Sequence, residues 1–334
     1  MTRVAVVGAG AWGINHVRSF ARLKGAELVM VADASESSLA RALALAPRAR
    51  GGRDLEDALA APDVDAVVLA TPAVLHAAQA KAALAAGKHV FVEKPLALSA
   101  ADARSVVDAA KAAGRVLMVG HLMLYHPAVL RLRQMIVAGE LGKVLYMYAL
   151  RVNLGRVRRD ENAMWSLAPH DISMILHLLD EAPESVSARG GCYLQPGIAD
   201  VAFVNLRFPS GVLAQIQLSW LDPRKERRLT VVGAQKMVEF DDAHPVEKLR
   251  IYDKGVDRPP QFTEYAQYLS IRNGDIHIPA VPMTEPLESE CRHFIECVQE
   301  NRTPLTDGEG ALRVVSVLEA AQRSLEGDGA PVAL

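Results

Sequence analysis

Short β-branched runs alternate with segments of helical apolar spacing through the first third of the chain. Residues 4–7 form such a run, and Ile14, Val17, Phe20, Ala21 and Leu23 then recur with the period of a helix. A second run at 28–32 precedes a helix expected over 36–45 and a shorter one over 54–60. Residues 66–70 read as a buried strand. Thr71-Pro72 opens the next helix, with threonine expected at the cap and proline at the first helical position. Gly87 closes that helix, 90–92 is again a strand, Ser99 caps a further helix, and 116–119 supplies another strand. Successive strand–helix–strand units of this kind imply a doubly wound parallel sheet.

After Gly120 the period changes. A helix is expected through Val137, and long alternating runs follow at 144–154, 199–208, 212–220, 228–232 and 236–240. Phe208-Pro209-Ser210-Gly211 between two of them is a hairpin signal. Val212, Ala214, Ile216, Leu218 and Trp220 share one face, which should bury against helices. Leu213, Gln215, Gln217 and Ser219 share the other, which is either a subunit interface or a solvated face. Helices are expected over 287–300 and 310–325, and the proline-bearing stretch 255–286, lacking a period, as a long ordered loop. The expected fold class is α/β. Residues 1–120 carry a doubly wound parallel sheet, and residues 121–334 an α+β domain with a mainly antiparallel open sheet.

Composition supports this division and narrows function. At 334 residues two domains are expected, and 50% hydrophobic with 23% charged residues excludes a disordered chain. A formal charge of −2 supplies no field to attract nucleic acid or an anionic membrane, so an anionic ligand must be met locally. Cys192, Cys291 and Cys297 show neither a C-x-x-C spacing nor a zinc pattern, so no metal is expected and a reducing cytoplasm fits. No apolar run approaches the ~18 residues of a membrane helix.

Candidate chemistry begins at Gly8-Ala9-Gly10-Ala11-Trp12-Gly13, between a strand and a helix. The first glycine allows a tight turn, the second lets the backbone approach a pyrophosphate, and the third lets helix and strand pack closely. Asp33 ends the second strand at the distance where such a fold places its acidic ribose ligand. Its carboxylate would repel an extra phosphate, so NAD is expected rather than NADP. Thr71, Pro72, His76 and Glu93 lie at or beyond strand ends that should face the same ligand, although His76 also reads as a partly exposed helix histidine. Lys94 follows Glu93 and precedes Pro95, where an amine can touch both cofactor and substrate.

In the second half, Arg151, Asn153, Arg156, Arg158 and Asn162 fall in a stretch with four arginines. Their planar forks suit phosphate or carboxylate. A solvated basic loop balanced by Asp160 and Glu161 is the other reading. Pro169 marks an expected helix start, placing His170 and Asp171 in its first turn. There the helix's positive end would keep the imidazole neutral, and a capping or core histidine is the alternative.

Together the glycine turn, Ala70-Thr71-Pro72 with His76, Glu93-Lys94-Pro95 and His170 resemble the glucose-fructose oxidoreductase, inositol dehydrogenase and MocA (Gfo/Idh/MocA) family over essentially the whole chain. The resemblance implies a Rossmann domain and hydride transfer between a sugar or cyclitol carbon and a nicotinamide cofactor, with Lys94 and His170 as the catalytic pair. Ser166 stands where many members have an aspartate, four residues before the histidine. The segment 151–171, with Ile278-Pro279 and Glu285-Pro286-Leu287, is most similar to the nucleotide-sugar 3-dehydrogenases. That likeness implies a UDP-N-acetylglucosamine or uronic-acid substrate, held by Lys94, Arg151, Asn153, Arg156, Arg158, Asn162, Ser166 and His170. A homodimer or homotetramer through the C-terminal sheet is expected. The rival readings are a dehydrogenase of free sugars or cyclitols, a ketosugar reductase, and a non-catalytic regulator that senses a dinucleotide.

Overall fold

Residues 1–155, 157–257 and 270–334 are described in a computed structural model of the chain. In the first half, β1 (Thr2–Val7), α1 (Gly13–Phe20), β2 (Ala26–Ala32), α2 (Glu36–Leu45), β3 (Arg50–Gly52), α3 (Leu55–Ala60), β4 (Ala66–Leu69), α4 (Ala73–Ala85), β5 (His89–Val92), α5 (Ala100–Ala113) and β6 (Leu117–Val119) alternate as the apolar pattern predicts. The strands are parallel, in the order β3-β2-β1-β4-β5-β6. All four residues of β4 are fully buried, because helices cover both faces of such a sheet. Between β1 and β4 the winding reverses, and there the loops leaving the strands' carboxyl ends diverge to form a ligand crevice. Ser35, Asp54 and Ser99 cap α2, α3 and α5 through side-chain oxygens, whereas α1 and α4 have no side-chain cap. The cap expected at Thr71 is therefore corrected. Pro72, still extended at ψ 140°, is the cap residue, and the Thr71 hydroxyl instead donates to Gln79 Oε1 at 2.6 Å.

The second half contains α6 (Pro127–Val137), β7 (Val144–Val152), α7 (Ala163–Leu179), β8 (Ser185–Gly191), β9 (Val201–Arg207), β10 (Leu213–Ser219), β11 (Glu226–Gly233), β12 (Met237–Asp241), β13 (Leu249–Asp257) and β14 (Ser270–His277). With β15 (Val332–Ala333) they form one sheet, ordered β14-β13-β12-β11-β7-β10-β9-β8-β15. Every pairing is antiparallel except β7 with β10. The predicted hairpin joins β9 to β10, with Gly211 at φ +86°. Ala214, Ile216 and Leu218 are buried on the face that α7 covers. On the open face Tyr146 and Tyr148 stack at 6.4 Å, and Leu213 and Phe203 are exposed. The long loop expected over 255–286 is corrected in part, since β13 and β14 pair within it, while residues 258–269 lie outside the described residues. Almost every side chain of β14 is exposed, so that edge strand carries no alternating pattern to betray it.

Two compact units result, Met1–Tyr125 with Thr284–Glu319, and His126–Met283 with Ala320–Leu334. A division at residue 120 would have put 284–319 in the second unit. Their apolar stripes explain why they pack in the first. On α8 (Pro286–Glu300), Leu287, Cys291, Phe294 and Ile295 join Phe20 and Phe91 in one core, with the Phe91 and Phe294 rings 5.5 Å apart. On α9 (Gly308–Glu326), Ala311, Leu312 and Val315 join the core on the sheet's opposite face. Strand alternation sorts the two cores, Val68 and Phe91 facing one and Val67 and Val92 the other. No helix among the described residues is long and apolar enough to cross a membrane. Phe294→Ala should destabilise the first unit by about 3–5 kcal/mol through the cavity it leaves. Denaturant unfolding checks this, and an unchanged midpoint would mean that α8 is dispensable to that core.

Candidate active site

The glycine loop after β1 combines two kinds of glycine. Gly8 has φ +91°, and a Cβ there would lie 2.6 Å from the Ala70 carbonyl oxygen; at Gly13 it would lie 1.9 Å from that of Gly8. The chain's own packing demands both. At Gly10 a Cβ would meet nothing within 4 Å, so that backbone is open to an approaching ligand. Ala11 and Trp12 are exposed, and α1 starts without a side-chain cap, as a pyrophosphate site at a helix start requires. Asp33 follows β2 directly. Its Oδ2 accepts from the Ala9 amide at 2.6 Å and its Oδ1 from the Ser35 amide at 2.7 Å. A carboxylate offers about four acceptor positions, so two are left for ribose hydroxyls. These residues fit NAD.

Thr71 and Pro72 lie at the carboxyl end of β4. His76, one turn into α4, is 1% exposed, which corrects the partly exposed reading. Its ring bridges two main-chain carbonyls, Nδ1 lying 2.7 Å from Pro95 O and Nε2 2.8 Å from Thr71 O. The ring thus sits between the loops after β4 and β5, and with one N–H it donates to one of these carbonyls at a time.

Lys94 is half-buried just after β5, joined to Pro95 by a cis peptide. Before it, Glu93 is 9% exposed and accepts three hydrogen bonds. Its Oε1 accepts from His16 Nε2 at 2.6 Å and from Trp12 Nε1, and its Oε2 from the Lys94 amide at 3.1 Å. Burial by itself would raise this carboxyl's pKa. The His16 and Trp12 hydrogen bonds and the Lys94 charge outweigh it and hold the group below its ordinary value, hence ionised. A Cβ at Gly120 would lie 3.0 Å from Glu93 Oε2, so glycine there makes room for the carboxylate. Sequence reasoning missed His16 and also His121, which follows β6. A signal existed for the first, because His16 shares the buried face of α1 with Gly13, Val17 and Phe20, and a polar group at a core position needs a partner.

In the second unit, α7 begins at Ala163, six residues before the start expected at Pro169. Asn162 caps it, Oδ1 accepting from the Trp165 amide at 3.0 Å, and Gln322 Oε1 accepts from Asn162 Nδ2 and Trp165 Nε1. With its start anchored in this way, the helix tolerates Pro169 inside at the loss of a hydrogen bond. His170 is therefore mid-helix, and the macrodipole provides no reason for a neutral imidazole there. It shares a face with Ser166 at the i, i+4 spacing.

Two expected substrate ligands are spent elsewhere. Asn162 Oδ1 caps α7 and its Nδ2 donates to Gln322 Oε1. Arg151, 5% exposed, grips Asp171 with both arms of its fork, Nε to Oδ2 at 2.6 Å and Nη2 to Oδ1 at 3.1 Å. Burial would lower the guanidinium pKa, but the Asp171 charge and hydrogen bonds outweigh it and raise it. The strand's pleat turned Arg151 under α7, where only a paired cation is tolerable. Arg158 is half-exposed and bonded to Glu161, with Asp160 at 3.9 Å. Asn153 Oδ1 is buried and lacks a hydrogen-bond partner among the described residues. Arg156 lies outside the described residues.

Residues 2–121 match the NAD-binding Rossmann fold of the Gfo/Idh/MocA oxidoreductase family, and residues 129–239 match a Gfo/Idh/MocA C-terminal domain. The chain is 28% identical over 336 residues to 4-carboxy-2-hydroxymuconate-6-semialdehyde dehydrogenase of Sphingobium sp. (strain NBRC 103272 / SYK-6), covering 98% of this chain and 100% of that one. It is 29% identical over 342 residues to inositol 2-dehydrogenase of Acidothermus cellulolyticus, covering 99% and 94%. Among solved structures, UDP-N-acetylglucosamine 3-dehydrogenase GnnA of Acidithiobacillus ferrooxidans superimposes with a TM-score of 0.81 at 27% identity, over 97% of both chains. The chain belongs to the Gfo/Idh/MocA family and is an NAD-dependent oxidoreductase.

Asp33→Ala should weaken NAD and remove the preference against NADP, read from the dissociation constants of the two cofactors. A preference that persists would assign discrimination to another residue. Arg151→Ala should cost about 3–5 kcal/mol of stability by stranding the buried Asp171 carboxylate, and Arg151→Met with Asp171→Leu should cost less. If the single change proves the milder in chemical denaturation, Asp171 has another partner.

Proposed function

We propose that this oxidoreductase oxidises the carbon-3 hydroxyl of a UDP-N-acetyl-hexosamine, or of its uronic acid, to the 3-keto sugar. The observation that carries this reading is the likeness to GnnA over nearly the full length of both chains, joined to the resemblance of segment 151–171 to nucleotide-sugar 3-dehydrogenases. Bound NAD supplies the hydride acceptor. Lys94 Nζ and the His170 imidazole share the proton: one takes it from the hydroxyl as the carbon–hydrogen bond breaks, and the other steadies the developing carbonyl oxygen. A lysine amine has an ordinary pKa of about 10.4 and must be lowered by its surroundings to act as a base.

The arginine segment supports a diphosphate in a restricted way. Arg158 is half-exposed and paired with the half-buried Glu161 and the exposed Asp160, and a doubly charged diphosphate can compete for it. Arg151 is not available for this role.

A free cyclitol or sugar substrate is the second reading. The engagement of both Arg151 and Arg158 by carboxylates favours it, as does the likeness to an inositol 2-dehydrogenase. Incubating the enzyme and NAD with UDP-sugars, free sugars and inositols, and following reduced nicotinamide, separates the two. Turnover confined to free polyols would sink the nucleotide-sugar reading. In either case Lys94→Ala should abolish turnover, by at least about a hundredfold, while NAD still binds. Undiminished activity would remove Lys94 from the chemistry.

A further inference from the structure

Three histidines are buried in the first unit near the carboxyl ends of its strands, and two of them have their ring nitrogens in contact with partners. His16 meets Glu93 and Cys291, and His76 meets two carbonyls. His121 differs. Its ring is 3% exposed, and neither Nδ1 nor Nε2 has a hydrogen-bond partner among the described residues. Leaving both groups unmade in the interior costs about 1–3 kcal/mol each, so the fold keeps a polar ring where the described residues give it nothing to bind.

Position identifies what it meets. With the strands in the order β3-β2-β1-β4-β5-β6, Asp33 at the end of β2 takes the adenosine ribose and the α1 amides take the pyrophosphate. The nicotinamide half must then extend the other way, over β4, β5 and β6. Lys94 ends β5, and His121 is two residues past β6. The charges that act on the His121 ring are Glu93 and Lys94. Burial, with Lys94 adding to it and Glu93 opposing, pushes its pKa down to about 4, so at neutral pH it has one donor and one acceptor and no charge. A cationic nicotinamide ring would be repelled by an imidazolium here and is not repelled by this ring. At the edge of that ring the group able to exchange a hydrogen bond with a neutral imidazole is the carboxamide.

We propose that His121 is a cofactor-positioning residue that hydrogen-bonds the nicotinamide carboxamide and so sets the ring's orientation beside Lys94. Because this concerns NAD alone, it stands or falls independently of the sugar substrate.

Calorimetric titration of the intact protein tests it, with NAD and with ADP-ribose, which lacks the nicotinamide. His121→Phe keeps the ring's bulk and removes its hydrogen bonds. It should weaken NAD about tenfold, the equivalent of one hydrogen bond, and leave ADP-ribose binding unchanged. If the phenylalanine variant does not fold, His121→Gln carries the same comparison, with a smaller loss expected for NAD only. Unchanged NAD affinity would overturn the proposal. So would an equal loss for NAD and ADP-ribose, since that would make His121 a residue of the core and nothing more.

Discussion

An ionised carboxylate buried at the carboxyl end of β5 is the constraint on which the first unit depends. Removing Glu93 from water costs several kcal/mol unless its lone pairs are met, and here three donors meet them. His16 and Trp12 come from α1 and its cap, and the third donor is the Lys94 amide. The hydrogen bonds that make the charge tolerable therefore couple the glycine loop to Lys94. On the other side of Lys94, His76 holds the Pro95 carbonyl and through it the Thr71 turn. The lysine main chain is held on both sides of the side chain proposed to take part in proton transfer, which is how a flexible four-carbon stem can be presented at a defined point.

The second unit uses the same device with the opposite sign at its centre. Arg151 on β7 and Asp171 on α7, each almost wholly buried, fix where the helix lies on the sheet. Such a pair is weak evidence for stability, because apolar residues of similar volume often serve as well. It does fix register, since sliding α7 by a turn would strand both charges. Asp171 adjoins His170, so this register also determines where that imidazole is displayed along α7. Asn162 and its Gln322 contact set the helix's other degree of freedom, its starting point.

The parallel sheet was legible because a strand covered on both faces must be apolar throughout, and residues 66–69 and 90–92 admit no other reading. The second sheet was legible where one face is buried, as in Val212 to Trp220. It was illegible at its edges, where β14 exposes nearly all its side chains and β8 buries only Val186 and Ala188. The start of α7 was misread because Pro169 suits a first turn, while the cap pair Asn162 and Trp165 requires a tertiary partner, Gln322, that lies 160 residues away. The arginine cluster had two readings in sequence because the side of the sheet that a strand residue faces is set by the register of the whole sheet. His16 and Glu93, 77 residues apart, could not be paired from spacing at all.

Hydrogen-bond capacity then sorts the polar residues into those that position and those that bind. Glu93, His76, Arg151, Asp171 and Asn162 direct donors or acceptors to the chain itself. Asp33 has spent half of its acceptors, the open Gly10 backbone and the α1 amides carry no side-chain cap, and Asn153 Oδ1 and both His121 nitrogens are unmet among the described residues. Interiors avoid unmet polar groups because each costs free energy that folding must make good elsewhere. Where they persist at the carboxyl ends of a parallel sheet, a ligand that completes them recovers that cost on binding. In the first unit such groups occur at the carboxyl ends of β2 and β6, on either side of the glycine motif in the strand order.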